Sequence, residues 1–152
     1  MKNMMIYADT SVFGGCFDDE FDKASRTFFN EVKDGKYGLL LSLTTLTELN
    51  HAPENVKEVL AGIPIDSIQM IDHSEEVSEL RDRYIEAEIV GESSKADAEH
   101  IAYATVAGAD YVVSWNFKHI VHYEKINGYN AVNILNGYKL MAIYSPMEII
   151  EL

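Results

Sequence analysis

Short apolar runs alternate with longer amphipathic stretches along the whole chain. Residues 4–11, Met-Met-Ile-Tyr-Ala-Asp-Thr-Ser, open it with an apolar run that stops at Asp9 and two hydroxyls. Such a run reads as a buried strand. Residues 12–17 read as a turn-rich apolar stretch, followed by the acidic run Asp18-Asp19-Glu20. Phe21, Ala24, Ser25, Phe28, Phe29 and Val32 recur at helical spacing, so a helix is expected over 21–34, with Gly35 as its stop. A second buried strand, 37–43, runs into a helix start at Thr44 that Pro53 breaks. Residues 54–61 then read as a short helix and 65–71 as a third strand. A charge-rich helix is expected over 75–90, capped by Ser74, with much of it a solvated face. After the loop 91–94, an alanine-rich helix over 96–107 ends at Gly108 and leads to a fourth strand, 111–114. Beyond Trp115 the chain reads as irregular, with a short helical turn at 123–127. A fifth strand is expected at 140–144, and Pro146 opens a terminal helix.

Strands separated by helices predict an α/β architecture: a parallel sheet of four or five strands between two helical layers. With 152 residues, the chain is expected to form one domain over 1–152. No apolar run is long enough for a membrane span and no signal peptide opens the sequence, and the lone Cys16 forms no internal disulfide. A cytoplasmic protein is the expectation. Charge changes this picture most: 25 acids against 12 bases give a net charge of −13. A broad duplex-binding face would need Lys and Arg to replace condensed counterions. Contact with nucleic acid would therefore require a bound cation or a basic partner, and a function without nucleic acid is the third option.

Three acids occupy comparable places. Asp9 ends the first strand, Glu48 lies in the first turn after the second, and Asp97 lies in the first turn of the helix leading to the fourth. Asn116 follows that fourth strand by two residues. Ligands of open parallel sheets bind at the carboxyl ends of the strands, so these four groups can meet in one crevice. Carboxylates gathered there need compensation, and oxygen donors suit Mg²⁺ or Mn²⁺, which can activate water for phosphodiester hydrolysis. A purely structural account competes, because Thr45-x-x-Glu48 and Ser94-x-x-Asp97 both match the capping-box spacing, and an acid after a strand is also a common turn residue.

Four segments carry a family resemblance: Ile6-Tyr7-Ala8-Asp9-Thr10-Ser11, Thr45-Leu46-Thr47-Glu48-Leu49, Asp97-Ala98-Glu99-His100-Ile101-Ala102, and Val112 through Ser114, Trp115, Asn116, Phe117, Lys118 and His119 to Ile120. In order and spacing the chain resembles the PIN-domain family, and within it the VapC-type toxins of toxin–antitoxin pairs. The resemblance implies a three-layer α/β/α domain acting as a metal-dependent endoribonuclease. Asp9, Glu48 and Asp97 would hold Mg²⁺ or Mn²⁺, with Ser114 supporting the acids. It also implies cleavage leaving a 5′-phosphate and a 3′-hydroxyl, a homodimer, and inhibition by a small antitoxin, whose basic DNA-binding half would suit so acidic a chain. Many relatives carry a fourth acid where this chain has Asn116, which would join the metal ligands with a neutral oxygen and one fewer negative charge; this points to one well-held ion and a weaker second.

The remaining polar residues divide between roles. Ser11 and Thr10 could donate to a bound phosphate or cap the following turn. Lys118, His119, His122 and Lys125 form the one basic cluster and could meet RNA phosphates or face solvent. Trp115 reads as packing rather than base stacking, and His100 as packing or solvent-facing rather than a ligand. The competing functional class is a PIN-like RNA- or protein-interaction module without catalysis, favoured by Asn116 and the negative charge. A metal-dependent phosphatase ranks below both, because no second acid lies two residues after Asp9.

Overall fold

The computed structural model describes residues 3–151; Met1, Lys2 and Leu152 lie outside them. Five strands form one sheet in the order β3-β2-β1-β4-β5, with every neighbouring pair parallel. They are β1 (Met4–Ala8), β2 (Tyr37–Ser42), β3 (Ile68–Ile71), β4 (Tyr111–Val113) and β5 (Ala142–Tyr144). The helices are α1 (Thr10–Gly15), α2 (Asp22–Lys33), α3 (Leu43–Asn50), α4 (Glu54–Ala61), α5 (Glu75–Glu86), α6 (Lys95–Ala107), α7 (Tyr123–Leu135) and α8 (Pro146–Ile149).

Alternation along β1 sorts the core into two layers, because successive side chains leave a strand on opposite faces. Ile6 and Ala8 pack with Val12 and Phe13 of α1, Phe28, Phe29 and Val32 of α2, Val56 of α4 and Ile149 of α8. Tyr7 faces the other way, among Val77, Leu80 and Tyr84 of α5, Ile101 of α6 and Tyr129 of α7. The expected three layers and parallel sheet are what the structure has, with five strands.

Several boundaries differ from those expected. The turn-rich stretch after Asp9 is the helix α1. Gly15 belongs there because a Cβ would lie 2.5 Å from Ser25 Oγ and 2.6 Å from Trp115 Nε1. The supposed helical turn at 123–127 is the thirteen-residue α7. Its Gly128 admits Ile89, whose Cδ1 would lie 2.6 Å from a Cβ, and its Asn133 accepts from the buried Tyr84 hydroxyl. Helix α5 stops four residues early: Glu88 adopts φ 60°, and Glu88 N and Ile89 N close onto Ile85 O and Tyr84 O. This is a Schellman C-cap with glutamate where glycine is usual. The third strand begins only at Ile68, after a 3₁₀ turn over Ile65–Ser67.

Candidate active site

The chain order places β2 and β3 on one side of β1, and β4 and β5 on the other, so the direction of winding reverses between β1 and β4. The carboxyl end of such a switch point is where open α/β sheets form their ligand crevice. Asp9 stands there at the end of β1, 4% exposed. Ser11 Oγ donates to its Oδ1 at 2.5 Å, and Ser114 Oγ, just past β4, donates to its Oδ2 at 2.7 Å. The two serines are themselves held by the chain after β4: Trp115 N donates to Ser11 Oγ (2.9 Å) and Asn116 N to Ser114 Oγ (2.9 Å). Burial still pushes the Asp9 carboxyl above its usual range, against the lowering effects of His100 and the two hydroxyls.

Glu48 projects from α3. That helix is capped by Ser42, whose Oγ accepts from Thr45 N, so Thr45 and Glu48 form no capping box. Instead, Glu48 Oε1 accepts from Thr10 Oγ1 at 2.7 Å and pairs with His100 Nε2 at 2.6 Å. Burial opposes ionisation of Glu48, but the hydrogen bond and charge of His100, with Thr10, hold its pKa below the usual value. Asp97 sits in the first turn of α6, and Ser94 makes no side-chain cap bond there, so the second capping-box reading also fails. Asn116 Nδ2 donates to Asp97 Oδ1 at 3.1 Å. Burial raises the Asp97 carboxyl, against the charges of His119 and His100 and the Asn116 bond.

The structure therefore ties Asp9 to Ser11 and Ser114, Glu48 to Thr10 and His100, and Asp97 to Asn116. Charge links these groups, since Glu48 raises the pKa of both Asp9 and Asp97. Among the described residues, no three His, Cys, Asp or Glu side chains are already grouped to hold a metal ion. Asn116 is engaged at both ends of its amide, because its Oδ1 accepts from Lys118 N (3.2 Å) and His119 N (2.9 Å). Its geometry orients Asp97 and shapes the following turn. Lys118 is exposed; His119 Nδ1 is buried with no hydrogen-bond partner. Trp115 is buried, stacked on Phe21 at 4.0 Å and bonded through Nε1 to Ser25, as its packing role requires.

Sequence reasoning undervalued His100. It is buried, with both ring nitrogens engaged: Nε2 with Glu48, and Nδ1 with the Tyr7 hydroxyl at 2.6 Å. The signals were present in the sequence. Asp97 and His100 are three residues apart on α6 and so share a face, and Tyr7 is a phenol in the middle of an apolar strand.

The donors are hard oxygens, and among the described residues Glu48 Oε2 and Asp97 Oδ2 accept no hydrogen bond from the protein. Mg²⁺ is usually held by one or two carboxylates, with water and substrate phosphate completing its shell. The residues present fit such an ion in their chemistry, without forming a closed cage.

No helix among the described residues is long and apolar enough to cross a membrane. No protein-family model matches this sequence, and no curated protein matches it. The fold does match a chain in the crystal structure of VapBC2 from Rickettsia felis bound to a DNA fragment from their promoter. The likeness has a TM-score of 0.56 and 15% identity over 93% of this chain and 98% of that one. Sheet order, flanking layers and this likeness together identify the fold as PIN-like, of the kind found in that VapBC2 structure.

Proposed function

We propose that the chain is a Mg²⁺- or Mn²⁺-dependent endoribonuclease, the toxin of a toxin–antitoxin pair. The observation that carries this reading is Asp9: a desolvated carboxylate at the switch point, both oxygens fixed by hydroxyls, with Glu48 near enough to act on its charge and on that of Asp97. Burial disfavours the ionised form of this carboxyl, and its hydrogen bonds to the two hydroxyls offset that cost only in part. A cation in the crevice would favour that form and bring a scissile phosphate to it.

Asp9, Asp97 and Glu48 would hold the ion, which supplies charge neutralisation at phosphorus and a more acidic water. The chain's own residues do the rest. Ser11 and Ser114 keep Asp9 in one rotamer, Asn116 orients Asp97, and His100 and Thr10 orient Glu48. Attack of water on phosphorus with loss of the 3′ oxygen leaves a 5′-phosphate and a 3′-hydroxyl. Lys118 is the exposed cation beside the crevice and supplies a phosphate contact; His119 lies against Asp97. RNA is the substrate. A small antitoxin with a basic DNA-binding half is the partner suited to a net charge of −13, and the active form is a cytoplasmic homodimer.

The test is cleavage of mixed RNA by the purified protein with Mn²⁺, with and without EDTA, beside Asp9→Asn and Asp97→Asn. Cleavage that needs the cation and is lost in both variants supports the reading. Full activity in both variants removes this crevice from the reaction. A second reading, an RNA- or protein-interaction module without catalysis, is favoured by Asn116, whose amide oxygen is already taken by two backbone N–H groups. RNA retention without cleavage at any Mn²⁺ concentration would select it.

A further inference from the structure

We infer that His100 is the positioning residue for Glu48, and that Tyr7 locks the His100 ring so that an Nε2–H always faces that carboxylate. The inference rests on the nuclease reading for its catalytic consequence; the geometry stands apart from it.

An unpaired imidazole inside an alanine-rich helix would carry a desolvation cost. Here each nitrogen has one short contact at 2.6 Å, and the ionised Glu48 carboxylate, which can only accept, sets the direction in which the donors run. Ser42 Oγ accepts from Thr45 N and can give its own hydrogen to the Tyr7 oxygen at 2.7 Å. Tyr7 is fully buried, and a phenol there keeps its proton at neutral pH. Tyr7 then donates to His100 Nδ1, and a neutral ring with a filled Nδ1 lone pair must carry its hydrogen on Nε2, toward Glu48 Oε1. Should the ring take up a second proton, the Tyr7 oxygen can turn to accept from Nδ1–H, and the Nε2–H still points at Glu48. A phenol suits both states because it donates and accepts. Methionine or leucine at position 7 would fill the same layer of the core but could not fix the tautomer.

Glu48 is thereby held by two donors on one oxygen, Thr10 from α1 and His100 from α6, which leaves Oε2 for the crevice. This is the arrangement by which outer hydrogen-bond partners orient the groups that bind a cation, and their removal typically costs about 10–100-fold in metal affinity.

The test uses the full chain with Tyr7→Phe, His100→Gln, His100→Ala and Glu48→Gln. In ¹⁵N-resolved NMR of the histidine side chains, the wild type is expected to show a slowly exchanging His100 Hε2. Its resonance moves in Glu48→Gln, and Tyr7→Phe releases the ring into mixed tautomers. Titration calorimetry should show Mn²⁺ binding about tenfold weaker in Tyr7→Phe and His100→Ala, and partly restored in His100→Gln, whose amide can still donate to Glu48. In RNA cleavage kcat should fall with KM little changed. A wild-type His100 protonated on Nδ1 alone would overturn the proposal. So would Mn²⁺ affinity within twofold of wild type in folded His100→Ala, or in folded Tyr7→Phe where the alanine variant does not fold. A chain that keeps the Hε2 resonance and its dependence on Glu48, yet neither binds Mn²⁺ nor cleaves RNA, upholds the lock and refutes the nuclease reading alone.

Discussion

Gly14 and Gly15 are adjacent in α1, and alanine at each should have opposite effects. Alanine gains about 1 kcal/mol over glycine in a helix interior, so propensity alone would stabilise both variants. A Cβ at Gly14 meets nothing within 4 Å, and Gly14→Ala should keep up to that gain. A Cβ at Gly15 would sit 2.5 Å from Ser25 Oγ, 2.6 Å from Trp115 Nε1 and 2.8 Å from Trp115 Cδ1. The indole is stacked on Phe21 and cannot swing away as a flexible side chain would. Overpacking of a filled core costs about 1–3 kcal/mol. Separating Trp115 Nε1 from Ser25 Oγ, now at 2.8 Å, costs about 1 kcal/mol more. Steric cost therefore outweighs propensity, and Gly15→Ala should be destabilised by about 2 kcal/mol. At about 2–4 °C per kcal/mol for a chain of this size, its Tm should fall by about 4–8 °C, while that of Gly14→Ala rises by about 2–4 °C. Calorimetry measures both. Trp115 is the sole tryptophan, so its fluorescence should shift in Gly15→Ala and not in Gly14→Ala. Because Trp115 N holds Ser11 Oγ, the displacement should also loosen Asp9 and lower any cleavage rate. Two alanine variants moving Tm in the same direction by the same amount would refute the close-packing argument.

Asp9→Asn should raise Tm near neutral pH while abolishing cleavage. Burial lifts the carboxyl's pKa in the folded state, so ionisation favours unfolding as pH rises from the unfolded value to the folded one, and the amide removes that cost. A Tm at pH 7 below wild type would contradict this. Glu99 behaves oppositely: burial would raise its pKa, but Thr44 and Arg81, the latter at 2.7 Å, hold it below the usual 4.5. Its contribution is complete above that pH and lost as pH falls through the lower folded value. The stability gap between wild type and Glu99→Gln, measured by urea melts, should therefore shrink below about pH 4.5. Glu88→Gly should stabilise the chain by about 0.5–1 kcal/mol, because φ 60° suits glycine and the side chain is exposed. An unchanged denaturant midpoint would show that no strain is relieved there. Ser114→Ala should cost about 1–3 kcal/mol, since Asp9 Oδ2 loses its donor and Asn116 N its acceptor; a chemical melt within 0.5 kcal/mol of wild type would exclude it.

The elements legible in the sequence were those whose local signals agreed with their packing. Buried aliphatic runs marked β1 and β2, and Phe28, Phe29 and Val32 at helical spacing marked α2. Gly108 stopped α6 in the left-handed conformation a C-cap requires. Helix α7 was hidden because Asn127, Gly128, Asn130 and Asn133 are weak helix formers. Tertiary contacts override them: Gly128 lets Ile89 approach, Asn130 clasps both backbone groups of Met141, and Asn133 meets Tyr84. At the site, Asp9 could be placed because a strand end fixes where a side chain emerges. The roles of His100 and Thr10 were harder to place: His100 shares a helix face with Asp97, but the partner that fixes each lies across the fold, Glu48, 52 and 38 residues away. The capping-box spacing at Thr45 misled for a related reason: Ser42, not Thr45, caps α3, and moving a cap by three residues changes which side chain faces the backbone amides.

The central strand pairs on one side with a segment made about a hundred residues later. Asp9 reaches its second hydroxyl, on Ser114, only across a separation of 105 positions. A nascent polypeptide emerging from the ribosome, still lacking β4, lacks the wall of the crevice that Ser114, Trp115 and Asn116 build. Whatever reaction Asp9 serves thus waits until β4 and the residues just after it have left the ribosome. Until then the strand order alone keeps the crevice unassembled.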